Sequence, residues 1–196
     1  SKICQQMKVT IHQPEHFPYE GFFQKVAAAD VFIVLDNTKF NKQYFQNRNK
    51  ILTLDGKEEW ITVQVGKDAP KQKINEVQTN WTKKHKRRLL EKIKKNLDFD
   101  ASEFYSHNKL VDINMQGIKW CMNKLSIKTP IIMASELGND FGFKSALNAN
   151  LVRAVGGTHY ISGPSGKEYL DMSHFKNIEV SFFQPKVKNY YSMLYN

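Results

Sequence analysis

Cysteine is nearly absent from the 196-residue chain: only Cys4 and Cys121 occur. Two isolated thiols build neither a disulfide framework nor a cysteine-based metal site, and they suit a reducing, cytoplasmic compartment. Long apolar runs are missing too. The longest, Val31 to Leu35 (VFIVL), is far too short to cross a bilayer, and the leading SKICQQMKVTIHQP holds no apolar segment of a secretion signal. Arginine is scarce: Arg48, Arg87, Arg88 and Arg153 are the only four among 29 basic residues. Arginine's fixed fork is what usually reads phosphates and base edges. Specific nucleic-acid recognition is therefore disfavoured, although 29 Lys+Arg against 19 Asp+Glu leave a net charge of +10. There is no internal repeat, low-complexity tract or composition break. What remains, 41% hydrophobic and 24% charged residues, is a folding composition of a length that supports one substantial core.

The lysines read as spread along the whole chain. Their densest stretch, WTKKHKRRLLEKIKKN, interleaves Trp81, Leu89, Leu90, Ile93 and Leu97 at helical spacing, which fits a solvated helix face as well as a binding surface.

Patterning along the chain indicates an α/β fold. Met7 to His12 alternates apolar and polar residues, Gly21 to Ala29 carries Phe22, Phe23, Val26 and Ala29 on helical spacing, and Val31 to Leu35 reads as a buried strand. Strand, helix and strand within about thirty residues make a βαβ unit, which implies parallel strands and a ligand site at their carboxyl ends. Lys50 to Leu54 and Trp60 to Val65 flank Asp55-Gly56 as an inserted hairpin. Lys67 to Lys73 reads as a mobile polar loop. Helices are expected at Trp81 to Asn96, Lys109 to Leu125 and Phe143 to Val155, and strands at Ile131 to Ala134, Thr158 to Ser162 and Ile178 to Phe183. The expected architecture is one α/β domain over 7–196, a mostly parallel Rossmann-like sheet with the inserted β-hairpin and helical cover, preceded by a flexible arm at 1–6.

Three constellations carry chemistry. In His12-Gln13-Pro14-Glu15-His16, Pro14 and the exit from a strand prevent two histidines four apart from sharing a helix face, so no metal site is expected. His12 is either a general base at the strand's mouth, with Gln13 donating to substrate, or a histidine satisfied by local carbonyls. Asn47-Arg48-Asn49, following Tyr44 and Phe45 with Lys39 and Lys42 nearby, is either a clamp for a phosphate or carboxylate or an asparagine-rich turn with a solvated arginine. Ser162-Gly163-Pro164-Ser165-Gly166-Lys167 is neither a Walker loop nor a nucleophile elbow, because its glycine and lysine positions fit neither pattern. It remains a possible anion-accepting turn at a strand's carboxyl end.

Taken together, IHQPEHFPYEGFFQKVAAADVFIVLD with QNRNKI, then NWTKKHKRRL, then GGTHYISGPSGKEYLD and IEVSFFQP resemble the WbqC-like protein family of bacterial polysaccharide loci. The matching positions are His12, Gln13, Pro14, Pro18, Gly21, Lys25, Ala29, Asp30, Asp36, Asn47, Arg48, Asn49, Tyr160, Ser162, Gly163, Tyr169 and Leu170. Two strings depart from the family: Thr38-Lys39 replaces a valine-glutamine pair, and Gln184-Pro185-Lys186 replaces His-Pro-Tyr. The resemblance implies a transferase of O-antigen or lipopolysaccharide assembly that passes an aminoacyl or acyl group to the amine of a nucleotide-linked amino sugar. In that reading His12 is the base, Asp36 orients it and His16 is second choice. Gln13, Tyr19, Lys25, Asn47, Arg48, Asn49, Ser162, Gly163 and Lys167 contact the substrates. No cofactor is bound tightly, an acyl thioester on an acidic carrier protein or coenzyme A is the donor, and no metal is needed. The runner-up is a nucleotidylyltransferase in which His16 and Lys25 act on a nucleoside triphosphate with Mg2+. A non-catalytic basic binding protein is the third.

Overall fold

Thr10 and His12 fall on one side of the first strand, β1 (Lys8–His12), and Val9 and Ile11 on the other, the two-residue period of an extended chain. The computed structural model describes residues 5–196. After β1 it runs through α1 (Glu20–Ala27), β2 (Val31–Val34), β3 (Arg48–Leu52), β4 (Glu58–Thr62), α2 (Lys83–Leu97) and α3 (Leu110–Lys124). It continues with β5 (Ile131–Met133), α4 (Ala134–Leu137), α5 (Lys144–Ala154), β6 (His159–Ser162), α6 (Gly166–Tyr169) and β7 (Glu179–Phe182). These elements form two units that the chain enters alternately. Among the described residues the first holds 5–12, Gly21–Leu35 and Ile127–Lys186; the second holds Gln13–Glu20, Asp36–Ser126 and Val187–Asn196.

In the first unit a five-stranded sheet has the order β5-β2-β1-β6-β7, and every neighbouring pair is parallel. Parallel strands need crossovers that cover both faces. On one face Val9, Ile11, Ile33 and Tyr160 pack with Ala149, Leu151 and Val152 of α5. On the other, Phe22 of α1 meets Phe32 edge-on at 5.7 Å. The chain steps from β1 to β2 and β5 in one direction, then returns to lay β6 and β7 on the opposite side of β1. That reversal, between β1 and β6, is where doubly wound sheets open a crevice at their carboxyl ends.

The second unit holds the antiparallel β3–β4 hairpin, with Arg48 opposite Thr62, Lys50 opposite Trp60 and Leu52 opposite Glu58. Its turn closes through Thr53 N–H to the Lys57 carbonyl at 2.8 Å, and Gly56 takes the left-handed conformation (φ 80°) that the Asp-Gly pair favours. Helix α2 starts where the Thr82 hydroxyl accepts from His85 N–H and buries only Leu89 and Ile93. Helix α3 buries a broad apolar face that includes one amide, Asn114.

Several expectations are revised. The Lys67 to Lys73 stretch holds local structure: it folds through a tight turn, Ala69–Lys71, next to a second one, Ile74–Glu76, with Ala69 and Ile74 buried. Of the expected arm at 1–6, residues 1–4 lie outside the described residues, and Gln6 is tied by its side chain to His159 Nδ1 at 2.9 Å. The positive charge is not evenly spread. Helix α2 alone carries eight Lys and Arg against one Glu, +7 of the chain's +10. Among the described residues no helix is long and apolar enough to cross a membrane, and no group of three or more His, Cys, Asp or Glu is placed to hold a metal ion.

Candidate functional site

At the carboxyl end of β1 in the first unit, the partly exposed His12 sets its ring edge-on to Phe22, 4.7 Å between centroids. Its carbonyl accepts from Leu35 N–H at 2.8 Å. The neighbouring strand β6 is held in register by Thr10 against Ile161, reinforced by the Thr10 hydroxyl donating to the Ile161 carbonyl at 2.9 Å. Continuing that register, Ser162 falls level with Ile11 and Gly163 with His12 at the carboxyl ends of the two strands. Ser162 is 1% exposed, and its hydroxyl donates to the Gly163 carbonyl at 3.0 Å. Helix α6 presses onto that hydroxyl so closely that a Cβ on Gly166 would lie 2.1 Å from Ser162 Oγ. Ser162 therefore shapes the turn, which leads through Pro164 and Ser165 into the single helical turn α6. Lys167 of that turn lies near the Phe182 ring, 5.7 Å from its centroid. Lys25 is buried on α1.

In the second unit His16 is completely buried. Asn114 Nδ2 donates to the carbonyls of Pro14 at 3.0 Å and Gln46 at 2.7 Å. Its Oδ1 must therefore face His16 Nδ1, 2.9 Å away, so Nδ1 carries the imidazole proton and Nε2 accepts from the Tyr105 hydroxyl at 2.8 Å. Burial lowers the His16 pKa to about 4, against a smaller opposing effect of the Asn114 hydrogen bond, and burial also raises that of the Tyr105 phenol. A neutral histidine with both nitrogens engaged and no exposed surface cannot serve as the alternative base. It holds the segment that follows β1. Asn49 does the same from the hairpin: its Nδ2 donates to the carbonyls of His16 and Phe17 at 3.2 and 2.9 Å, and its Oδ1 accepts from Lys50 N–H.

Asn47-Arg48-Asn49 is thus no free turn but the entry into β3, which begins at Arg48, and alternation splits it. Asn47 and Asn49 are buried on the inner face. Asn47 Nδ2 donates to the Val63 carbonyl at 3.0 Å, and its Oδ1 is buried with no partner. Arg48 alone of the three reaches the outer face, its guanidinium 4.1 Å from the centroid of Trp60, with Lys50 Nζ at 5.1 Å from the same ring. This stacked cation contributes about 0.5–2 kcal/mol. Gln13 donates to the Thr38 hydroxyl at 3.0 Å and accepts from Gln46 at 2.8 Å. Tyr19 stacks near Tyr190, 5.5 Å between rings, and burial, then Glu15, then Tyr190, raise its phenol pKa. Asp36, two residues past β2, is buried, and its carbonyl accepts from Asn75 N–H at 3.0 Å.

The first unit places His12 and Gly163 at the ends of neighbouring strands, and the second gathers Gln13, His16 and Asn49 around Asn114 and Gln46. Asn114, Tyr105, Trp60 and Arg88 were not foreseen. For Asn114 a signal existed: an amide in the middle of the apolar stripe of α3, four residues after Leu110.

A family model described as "WbqC-like protein family" matches residues 13–196. "Uncharacterized protein Rv1507c" of Mycobacterium tuberculosis (strain ATCC 25618 / H37Rv) is 30% identical over 191 residues, covering 88% of this chain and 79% of that protein. No solved structure matches.

Proposed function

The chain belongs to the WbqC-like protein family, and on that premise we propose that it is a transferase of bacterial surface-glycan assembly. The reaction is acyl or aminoacyl transfer from a thioester to the amine of a nucleotide-linked amino sugar. The observation that carries this reading is the position of His12: a partly exposed imidazole at the carboxyl end of β1, beside the sheet's switch point, where this class of fold receives its ligands. An ammonium must lose a proton before it attacks, and an imidazole is the side chain suited to accept it near neutral pH. The freed nitrogen adds to the thioester carbonyl, the tetrahedral oxyanion collapses, the C–S bond breaks, and the departing thiolate takes up the second proton that the nitrogen sheds as it becomes the amide. The donor is an acyl carrier protein or coenzyme A thioester, and both it and the sugar nucleotide bring the negative charge that a +10 protein favours.

Nucleotidyl transfer has less support, because His16, which that reading aims at phosphates, is buried and saturated by Asn114 and Tyr105. The two reactions separate cleanly in one experiment. The protein is incubated with a panel of acyl thioesters and amino-sugar nucleotides, and in parallel with nucleoside triphosphates and labelled pyrophosphate. A product heavier by one acyl group supports acyl transfer; pyrophosphate exchange without it overturns the proposal.

A further inference from the structure

Trp60 stands in the middle of the hairpin's outer face and divides two cavities of unlike chemistry, both within the second unit. Toward α2 lies one of about 410 Å³, walled by Trp60, Thr62 and Gln64 on the strand side and by His85, Arg88 and Lys92 on the helix. Strand residues two apart and helix residues three, four and seven apart each present one face. Lys92 is tied to Glu59 at 3.3 Å and to the Trp60 carbonyl at 3.0 Å. Arg87 pairs with Glu91, while Arg88 has no carboxylate partner among the described residues. On the other side lies a cavity of about 370 Å³ whose walls include Phe45, Trp60, Tyr190 and Tyr191, with Lys50 and Glu58 at its edge. Phe45 and Tyr190 are 42% and 72% exposed, so both rings offer open faces beside Trp60 in the same cavity.

We propose that this face binds a nucleoside diphosphate. The aromatic cavity takes the flat base, and the cationic cavity takes the diphosphate on Arg88 and Lys92. Trp60 is shared by both cavities, and Arg48, which lines neither, stacks on that ring at 4.1 Å and holds it in place. Each cavity has the size of a small-ligand pocket. Six of the eight basic residues of α2 line neither cavity, so the local chemistry is that of a small anion on an aromatic platform, not of a polyanion tracking the helix. The site rests on the reading of the substrate as a nucleotide-linked sugar and adds which surface holds the nucleotide.

The test is isothermal titration of the 196-residue protein with ADP, CDP, GDP and UDP, with their nucleosides, and with inorganic pyrophosphate. Arg88→Ala and Tyr190→Ala are the variants, both at exposed positions. At least one nucleoside diphosphate binds with one-to-one stoichiometry. Arg88→Ala weakens it and pyrophosphate by about tenfold or more, as expected for a lost charge-assisted hydrogen bond, and leaves the nucleoside unchanged. Tyr190→Ala weakens the nucleoside diphosphate several-fold and leaves pyrophosphate unchanged. The site is overturned if no nucleoside diphosphate binds or if both variants bind like the parent. It is equally overturned if a single-stranded oligonucleotide binds in preference, with a steep salt dependence and no effect of Tyr190→Ala. Nucleotide binding of the predicted pattern without any acylated product would leave this site standing and remove acyl transfer. Acylation with an unchanged sugar-nucleotide KM in both variants would do the reverse.

Discussion

Acidification is expected to weaken the fold through His16. Unfolded, its imidazole takes up a proton near pH 6.5; folded, burial holds that uptake back to about pH 4. Between those values the unfolded chain binds more protons, so this contribution to stability is complete above pH 6.5 and is lost as pH falls toward 4. At 1.36 kcal/mol per pH unit the loss approaches about 3 kcal/mol, and most of it has gone by pH 4.5. For a domain with 5–15 kcal/mol to spare, that is a large fraction. The assay is urea unfolding followed by circular dichroism at half-unit steps from pH 7.5 to 4.5, on the parent and on His16→Gln. Glutamine can donate to Asn114 and accept from Tyr105, the two partners that His16 engages, yet it does not titrate. The variant starts less stable but loses about 2 kcal/mol less than the parent over the interval. Equal losses in the two proteins would refute the buried, neutral imidazole.

Two further outcomes follow from packing. Gly166→Ala forces a methyl to within 2.1 Å of Ser162 Oγ, so it should destabilise the fold by about 1–3 kcal/mol, seen as a lower urea midpoint with an unchanged m-value. Cys121 is fully buried and its thiol is pushed up to about 12 by that burial, with Lys124 opposing weakly. Its thiolate is roughly a thousandfold rarer than that of an ordinary cysteine. Iodoacetamide at pH 8 should leave the Cys121 peptide unmodified in the native protein and label it fully in urea, with peptide mass spectrometry as the readout.

Helices and strands were legible because each must bury one stripe or one face. The apolar spacing of Gly21 to Ala29 and of Lys109 to Leu125 became α1 and α3, and VFIVL became the buried strand β2. Local pattern also decided more than was drawn from it. Asn47-Arg48-Asn49 leads into a strand, so alternation already required the arginine and the asparagines to face opposite ways, and only Arg48 reaches the outer face. The amide cage around His16 was not legible. Its partners Tyr105 and Asn114 are 89 and 98 residues away in sequence, and hydrogen bonds over such separations leave no local period. Ser162 and Gly163 were found at the correct end of β6 for a loop, but the short helix pressing on Ser162 depends on Gly166 approaching a side chain four residues earlier. The basic helix was legible as the densest lysine stretch, while its share of the net charge follows from its holding a single acidic residue, Glu91.

The most direct measurement of the central claim is the rate of N-acyl sugar-nucleotide formation by the parent and by His12→Ala, followed by mass spectrometry across pH 6 to 9. With His12 as proton acceptor, the parent rate is expected to rise with pH and level off. His12→Ala should lose about a hundredfold or more in kcat, with the sugar-nucleotide KM and the urea midpoint little changed. An undiminished kcat in His12→Ala would contradict the account, whatever else the protein binds.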